Sequence, residues 1–215
     1  MIDYKLKERY GVDDLAEIMR ILRGEGGCPW DREQTHESIR QNMLEEAYEA
    51  AEAIDLGRMD MLCEELGDVL LQVVFHARME EEKGGFDLGD VATGVCRKLI
   101  LRHPHIFGDV QVADSAEVLA NWDEIKKKEK AQRTVTDTLT AVARSLPALM
   151  RAEKVQKKAG KAGYAVEYHD PDNEIGEKLF ALVHEARAQG VDPERALERA
   201  TDAFIENVKK QEEKA

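Results

Sequence analysis

Apolar residues recur along most of this chain at the three- and four-residue spacing that is typical of amphipathic helices. Alternating strand patterns are nearly absent, and only 5 Pro and 15 Gly interrupt the helical stretches. Short loops between such helices favour antiparallel neighbours, so we predict an all-α protein built as an antiparallel helical bundle. The predicted helices span about residues 13–23, 36–56, 59–83, 88–102, 114–130, 145–160, 174–189 and 193–211.

Two helix starts carry recognisable capping residues. Asp87 and Asp192 each stand immediately before a helical pattern, where a carboxylate accepts a hydrogen bond from the first turn. Pro193 follows at a first helical position, where its missing N–H costs nothing. We therefore expect helices to begin directly after Asp87 and Asp192.

The chain also contains a degenerate internal repeat. The segment ELGDVLLQVVFHAR (65–78) resembles EIGEKLFALVHEAR (174–187), and LAEIMR (15–20) resembles LPALMR (146–151). The second pair of blocks is about 22 residues closer together, and it lacks a match for the acidic helix around residues 45–52. This pattern predicts a duplicated helical unit. Shared helical amphipathicity is an alternative explanation for so weak a match.

Composition excludes several classes of protein. With 31 Lys+Arg against 44 Asp+Glu the net charge is −13, whereas a general nucleic-acid binder needs a basic surface. Three scattered cysteines with no CxxC pair argue against a zinc or redox motif and suit a reducing cytosol. No apolar run has the length of a signal peptide or of a membrane span. We expect a cytoplasmic protein with no nucleic-acid or membrane partner.

The candidate chemistry lies in two acidic helices. Glu46 and Glu49 share one helix face at i,i+3 spacing, and Glu65 and Asp68 repeat that spacing on the next helix. A single such pair is usually a solvated face. The second pair, however, runs directly into the apolar segment 69–75, and carboxylates beside a buried segment are costly unless they are paired or bind a cation.

Two converging carboxylate pairs favour a hard, oxygen-binding cation such as Mg²⁺. Mg²⁺ commonly takes its remaining ligands from phosphates, which points to phosphoryl chemistry. Gly67, between the second pair, suggests a place where something approaches the backbone closely. A di-iron bundle would need Glu-x-x-His on two helices, but the only instance here is Glu33–His36 in a loop-like stretch.

These residues resemble the MazG family of nucleoside triphosphate pyrophosphohydrolases. The family pattern of Glu-Glu-x-x-Glu, a spacer and Glu-x-x-Asp is present as 45–49 and 65–68. The resemblance extends over GGCPWDREQTHESI (26–39), FHAR (75–78), KLILRHPHIFGDV (98–110), NWDEIKKKEK (121–130) and LPALMRAEKVQKKAG (146–160). It implies an all-α homodimer or larger homo-oligomer that hydrolyses nucleoside triphosphates to the monophosphate and pyrophosphate.

The resemblance also implies roles for individual residues. Metal ligands would be Glu46, Glu49, Glu65 and Asp68, holding Mg²⁺ or alternatively Mn²⁺. Lys98 and Arg102 match a phosphate-contacting pair, Trp122 and Lys126 match nucleotide-contacting positions, and Trp30 belongs to a candidate base pocket. The alternatives stay open: a solvated face for Lys98 and Arg102, core packing for Trp122, and a packed turn around Trp30.

The second half departs from the family pattern. Its second carboxylate pair is Glu174 and Glu177, and the positions that match Lys98 and Arg102 are Ala203 and Asn207. We therefore expect a catalytic domain over residues 1–130. A degenerate repeat over 131–215 would have a structural or dimerising role and no active site.

The implied mechanism is metal-assisted attack of water at the α-phosphorus, with Glu45 or Glu49 orienting the water or taking its proton. The physiological role would be to remove non-standard or surplus nucleotides. One alternative is a helical module that binds nucleotide or metal without turnover. A purely structural oligomerisation bundle is another, and it predicts no stabilisation by metal.

Overall fold

A computed structural model describes residues 4–129, 134–165 and 168–213 of the chain. Within these ranges the chain forms helices and no strands, so the all-α prediction is confirmed. None of the described helices is both long and apolar enough to cross a bilayer. The helices are α1 (Val12–Arg23), α2 (Pro29–Glu33), α3 (Arg40–Asp55), α4 (Met59–Glu81), α5 (Leu88–Arg102), α6 (Pro104–Phe107), α7 (Ser115–Glu129), α8 (Val135–Thr140), α9 (Ala148–Lys161), α10 (Glu174–Ala188) and α11 (Pro193–Glu212).

The chain divides into two compact units, Met1–Gln111 and Val112–Ala215. Helices α1 to α6 belong to the first unit and α7 to α11 to the second. Helix α7, which the sequence places in the catalytic domain, therefore groups with the second unit. The predicted boundary between 130 and 131 lies outside the described residues, and the roles of the two domains stay predictions.

In the first unit, α3 and α4 form a helical hairpin against which α1 and α5 also pack. The hairpin turn needs Gly57, whose φ of 66° is a left-handed conformation that favours glycine. Ala50 and Ala53 are buried on α3, and their small side chains allow α4 to approach closely. The core joins Met19, Ile39, Val74, Phe75 and Met79.

The segment before α3 differs from the predicted helix over 36–56. Helix α3 begins at Arg40, because residues 34–39 form a turn stabilised by their own side chains. The Thr35 N–H donates to Ser38 Oγ at 2.9 Å, and the Ser38 N–H donates to Thr35 Oγ1 at 3.2 Å. Such local bonds compete with helix formation. The single-turn helices α2, α6 and α8 are too short to show a hydrophobic period.

Both predicted caps are confirmed. Asp87 accepts a hydrogen bond from the Asp90 N–H at 2.8 Å, at the start of α5. Asp192 accepts from the N–H groups of Glu194 at 2.9 Å and Arg195 at 3.2 Å, and Pro193 is the first residue of α11.

In the second unit, α9 packs against α8, α10 and α11. Gln156 of α9 is fully buried, and its Nε2 donates to the carbonyl oxygen of Phe180 on α10 at 2.8 Å. The repeated blocks lie on corresponding helices, α1 and α4 in the first unit and α9 and α10 in the second. The two helices of each pair contact each other.

Candidate metal and phosphate site

Carboxylates from α3 and α4 converge in the first unit. Glu46 and Glu49 of α3 and Glu65 of α4 each offer an oxygen, and these three oxygens lie within 4.8 Å of one another. The i,i+3 spacing puts Glu46 and Glu49 on one face of α3, and the hairpin turns that face toward α4. Asp68 lies one turn after Glu65 on the same face of α4 and is half-buried.

The pKa shifts of Glu46 and Glu65 show that the negative charges of this cluster are not offset by the surrounding side chains. Burial raises the pKa of Glu46, and the negative charges of Asp68 and Glu49 raise it further. Burial also raises the pKa of Glu65, with contributions from Glu49, Glu64 and Asp68. All four predicted ligands therefore act on one another as like charges, which a bound cation would relieve.

The donor set fits a hard divalent cation. All ligating atoms are carboxylate oxygens, the type that Mg²⁺ and Mn²⁺ accept in proteins. Exposed acidic groups also cluster without any metal, but Glu46 and Glu65 are half-buried and have raised pKa values. Glu49 is exposed, so the cluster opens toward solvent, where a substrate can reach it.

Open space adjoins the cluster at Gly67. A Cβ built on this residue would meet none of the described atoms within 4 Å, beyond its own helix and neighbours. No described segment of the chain makes the close approach that the sequence suggested. The space is available to a ligand next to Asp68.

The two cations on α5 differ in burial. Arg102 is only 7% exposed and Lys98 is half-buried, and the four-residue spacing puts both on one face of the helix. Helix α5 packs against α4, the helix that carries Glu65 and Asp68. The solvated-face alternative is therefore wrong for Arg102. Its contact with phosphate stays a prediction.

Glu45, the candidate base, is exposed on α3 beside Glu46. The Gln41 side chain donates from Nε2 to Glu45 Oε1 at 3.4 Å, a long hydrogen bond within the same helix. Glu45 is not one of the three converging carboxylates. Its role as a base stays a prediction, as does that of Glu49, which is exposed but belongs to the cluster.

Trp30 is presented on the surface, with 59% of the residue exposed. Its backbone lies at the far end of α4 from the carboxylates, because Arg23 donates to the Asp31 carbonyl oxygen and bonds Glu82 at 2.8 Å. Glu82 follows Asp68 by a helical rise of about 21 Å. The structure thus does not bring the Trp30 turn next to the carboxylate cluster of the same chain.

Trp122 and Lys126 lie on α7, in the second unit, and both are half-buried. Half burial leaves part of the Trp122 ring accessible, so neither core packing nor base stacking is settled by exposure. Their contact with nucleotide stays a prediction.

The second copy uses its remaining carboxylates differently. Glu177 accepts hydrogen bonds from His169 Nδ1 at 2.9 Å and from the Asp170 N–H at 3.1 Å, so it fastens the loop before α10. Glu174 forms an ion pair with Lys178 at 2.6 Å on the same helix. Both carboxylates of this pair therefore have partners from their own unit.

Two features of the first unit escaped the sequence interpretation. Arg23 joins three segments through its guanidinium, and His36 contacts His76 across the hairpin. The sequence shows these residues 59 and 40 positions apart from their partners. The packing of α1 on α4 pairs Arg23 with Glu82, and the register of α3 against α4 pairs His36 with His76.

Comparisons with known proteins show the family to which the chain belongs. Residues 34–107, which include α3, α4 and α5, match the MazG nucleotide pyrophosphohydrolase domain. The chain is 40% identical to the nucleoside triphosphate pyrophosphohydrolase of Escherichia coli (strain K12), over 90% of this chain and 84% of that protein. It is 39% identical to the nucleoside triphosphate pyrophosphohydrolase/pyrophosphatase MazG of Thermotoga maritima, over 94% and 85% respectively. It is also 44% identical to the uncharacterized protein YabN of Bacillus subtilis, but spans only 43% of that protein's length.

Proposed function

Because this chain belongs to the MazG family of nucleotide pyrophosphohydrolases, we propose that it hydrolyses nucleoside triphosphates to the monophosphate and pyrophosphate. Relatives at 38–40% identity are named as nucleoside triphosphate pyrophosphohydrolases. The observation that carries the proposal is the convergence of Glu46, Glu49 and Glu65, of which Glu46 and Glu65 are half-buried and have raised pKa values.

The residues that would hold Mg²⁺, or alternatively Mn²⁺, are Glu46, Glu49, Glu65 and Asp68. When bound, such an ion lowers the pKa of a water molecule and offsets the charge of the phosphates. The like-charge repulsion within the cluster supports this assignment, since a divalent cation removes it.

The chain's own residues supply the other parts of the reaction. An exposed carboxylate, Glu45 or Glu49, orients the attacking water and accepts its proton. The water oxygen bonds to the α-phosphorus, and the bond from that phosphorus to the oxygen bridging to the β-phosphate breaks. Pyrophosphate leaves with the electron pair, and Lys98 and Arg102 stabilise its charge. Trp122 and Lys126 are proposed to contact the nucleotide. Trp30 would do so only from another copy of the chain, because its turn lies at the far end of α4 from the carboxylates.

We assign no active site to residues 131–215. The bonds of Glu177 to the loop before α10 and of Glu174 to Lys178 support this, because these carboxylates already have partners. The matching cationic positions are Ala203 and Asn207. The second half then has a structural role.

The proposed assembly is a homodimer or a larger homo-oligomer. Large apolar side chains are exposed on α5 and α6 of the first unit, and contiguous apolar surface is typical of protein interfaces. The three cysteines are free thiols, which suits the reducing cytoplasm in which we place the enzyme. The apolar surface comprises Leu99 (41%), Ile100 (51%), Leu101 (53%), Ile106 (66%) and Phe107 (61%).

The decisive experiment incubates the protein with Mg²⁺ and each triphosphate in ¹⁸O-labelled water. Attack at the α-phosphorus puts the label in the monophosphate and releases pyrophosphate. Orthophosphate release, or label in the pyrophosphate, would refute the proposed bond cleavage. A comparison of oxidised and deaminated triphosphates with the standard ones then tests whether non-standard nucleotides are preferred.

The alternative, a module that binds without turnover, predicts nucleotide binding with no pyrophosphate. A structural bundle predicts that Mg²⁺ leaves the melting temperature unchanged, whereas any ligand that binds only the folded state raises it. Sedimentation at several concentrations tests the homodimer.

A further inference from the structure

Two histidines meet across the α3–α4 hairpin. His36, in the turn before α3, and His76, on α4, have their Nδ1 atoms 2.7 Å apart, and their ring planes are within 7° of parallel. This distance is shorter than the separation of two stacked rings, so the rings lie side by side. One ring donates an N–H to the lone pair of the other, which requires one proton between the two nitrogens.

A carboxylate fixes the proton arrangement of this pair. Glu80, one turn after His76, accepts a hydrogen bond from His36 Nε2 at 2.7 Å and from Lys83 Nζ at 2.9 Å. Because the Glu80 oxygen is an acceptor, His36 Nε2 carries a proton. A further proton lies between the two Nδ1 atoms, and protonation of His76 Nε2 gives the pair one positive charge without breaking that bond. About a third or less of the His36 and Glu80 side chains is exposed.

The other charged groups around the pair come from the same end of the first unit. Glu37, beside His36, has a pKa lowered by hydrogen bonds to its own backbone and to Thr35, and less by the charges of His36 and Lys83. From α1, Arg23 is bound to Glu82.

On the side of α5, Asp87 and Asp90 each accept a hydrogen bond from the other's backbone N–H. Of these carboxylates, Glu80 is the one that is hydrogen-bonded to the histidine pair.

The pair lies at the open end of the hairpin. The turn at Gly57 closes the other end, and the carboxylate cluster lies between them. Along α4, His76 follows Asp68 by eight residues, or about 12 Å of helical rise. Ile39, three residues after His36, is 2% exposed in the core beside Phe75, so the turn is held against α4 by packing as well.

We propose that His36 and His76, supported by Glu80, form a one-proton latch that closes the open end of the α3–α4 hairpin and keeps the carboxylates of α3 opposite those of α4. The latch opens when both rings become imidazolium. Its consequence for catalysis rests on the proposed function, but its effect on the fold does not. His36 and His76 are positioning residues, since neither contacts the carboxylate cluster.

The physical reason is charge repulsion. When both rings are protonated, the two imidazolium rings have Nδ1–H groups facing each other and no acceptor between them. Burial lowers the pKa of His76 below its ordinary 6.5, and the charge of His36 lowers it further. The unfolded chain therefore binds this proton more readily than the native state does. The stability that the latch contributes is present above pH 6.5 and is lost as the pH falls below it.

The first test measures unfolding by urea between pH 5 and pH 8, without metal or nucleotide. His76→Asn keeps an amide N–H near the position of Nδ1 but does not titrate, so its stability should change little between pH 7.5 and 5.5. The wild type should lose stability over this window. His169→Asn, which removes an exposed histidine from the second unit, should be less stable throughout because it loses the bond to Glu177, but should keep the wild-type loss of stability over this window. Equal pH dependence in the wild type and His76→Asn would overturn the latch.

Histidine NMR of the wild type provides a test that needs no variant. One of the six histidines should titrate below 6.5, and a ring N–H shared between two nitrogens should exchange slowly at neutral pH. Six independent titrations near 6.5 with no protected ring proton would also overturn the proposal.

The catalytic consequence is tested at saturating Mg²⁺, which suppresses protonation of the metal ligands. Wild-type kcat/KM should fall at least about tenfold from pH 7.5 to 5.5, since one required group titrates. The kcat/KM of His76→Asn should fall less than about twofold over the same range. That of His76→Ala should be low at both pH values. A wild type that never releases pyrophosphate would refute the proposed function and leave the stability test standing. An active wild type with the same acid limb as His76→Asn would refute the latch alone.

Discussion

The guanidinium of Arg23, the last residue of α1, lies 2.8 Å from the carboxylate of Glu82, the residue that follows α4. Only 7% of the Arg23 side chain is exposed, and its guanidinium carbon is 5.3 Å from the centre of the Phe75 ring. The same guanidinium donates to the carbonyl oxygens of Asp31 and Gln34. One side chain therefore joins α1, the segment between α2 and α3, and the end of α4.

Replacing this side chain should destabilise the first unit strongly. Arg23→Ala leaves the carboxylate of Glu82 and two carbonyl oxygens without this donor, so we expect a loss of about 3 kcal/mol of unfolding free energy. Urea denaturation followed by tryptophan fluorescence measures it. Arg20→Ala is the matched control, because Arg20 forms an exposed i,i+3 pair with Glu17 on the same helix. An Arg23→Ala protein as stable as the Arg20→Ala protein would contradict this interpretation.

Glu46→Gln should stabilise the metal-free protein but reduce the stabilisation that Mg²⁺ provides. The native state holds protons on Glu46 and Glu65 more tightly than an unfolded chain, whose glutamates titrate near 4.5. These groups contribute stability below pH 4.5 that is lost as the pH rises through their folded pKa values. Removing the charge of Glu46 should therefore raise the melting temperature of the metal-free protein at pH 7 and reduce the further rise caused by Mg²⁺.

Glu52→Gln provides the control for that experiment, since Glu52 is exposed on the same helix and outside the cluster. Glu52→Gln should leave the rise in melting temperature caused by Mg²⁺ unchanged. The cluster would not be a metal site if Glu46→Gln and Glu52→Gln responded equally to Mg²⁺.

The two halves should respond differently to loss of corresponding carboxylates. Asp68→Asn removes a proposed ligand and should lower kcat/KM for a triphosphate by at least about 100-fold, more than the loss of groups outside the coordination shell. Glu177→Gln alters the matching position in the second half and should keep near wild-type activity, with lower stability because it weakens the bonds to His169 and Asp170. Comparable losses of kcat/KM in Asp68→Asn and Glu177→Gln would indicate that the second half also takes part in catalysis.

Lys98→Gln should weaken the interaction of the enzyme with the phosphate groups of its substrate. A hydrogen bond from an ammonium to a phosphate contributes about 1.5–3 kcal/mol, so we expect kcat/KM to fall about tenfold or more. Arg97→Gln removes the same charge from an exposed neighbour on α5 and serves as the control. Steady-state pyrophosphate release measures both. An equal effect in the two variants would indicate a general loss of positive charge rather than a contact by Lys98.

Local features of this protein were determined by its sequence. Hydrophobic periods of about 3.6 residues predicted every helix longer than ten residues, because the period depends only on which face is buried. The caps at Asp87 and Asp192 were predicted because a cap acts within one turn of its own helix. The i,i+3 carboxylate pairs were visible for the same reason. The start of α3 at Arg40 was missed, because the side chains of Thr35 and Ser38 bond to the backbone there.

Relationships between helices were decided only by the tertiary structure. The burial of Ala50, Ala53 and Ile39 sets how α3 lies on α4, and that register brings Glu46 and Glu49 toward Glu65. The same register pairs His36 with His76, and the end of α4 pairs Glu82 with Arg23. Periodicity places a residue on a face, but the partner of that face depends on how loops and side-chain volumes let the helices pack.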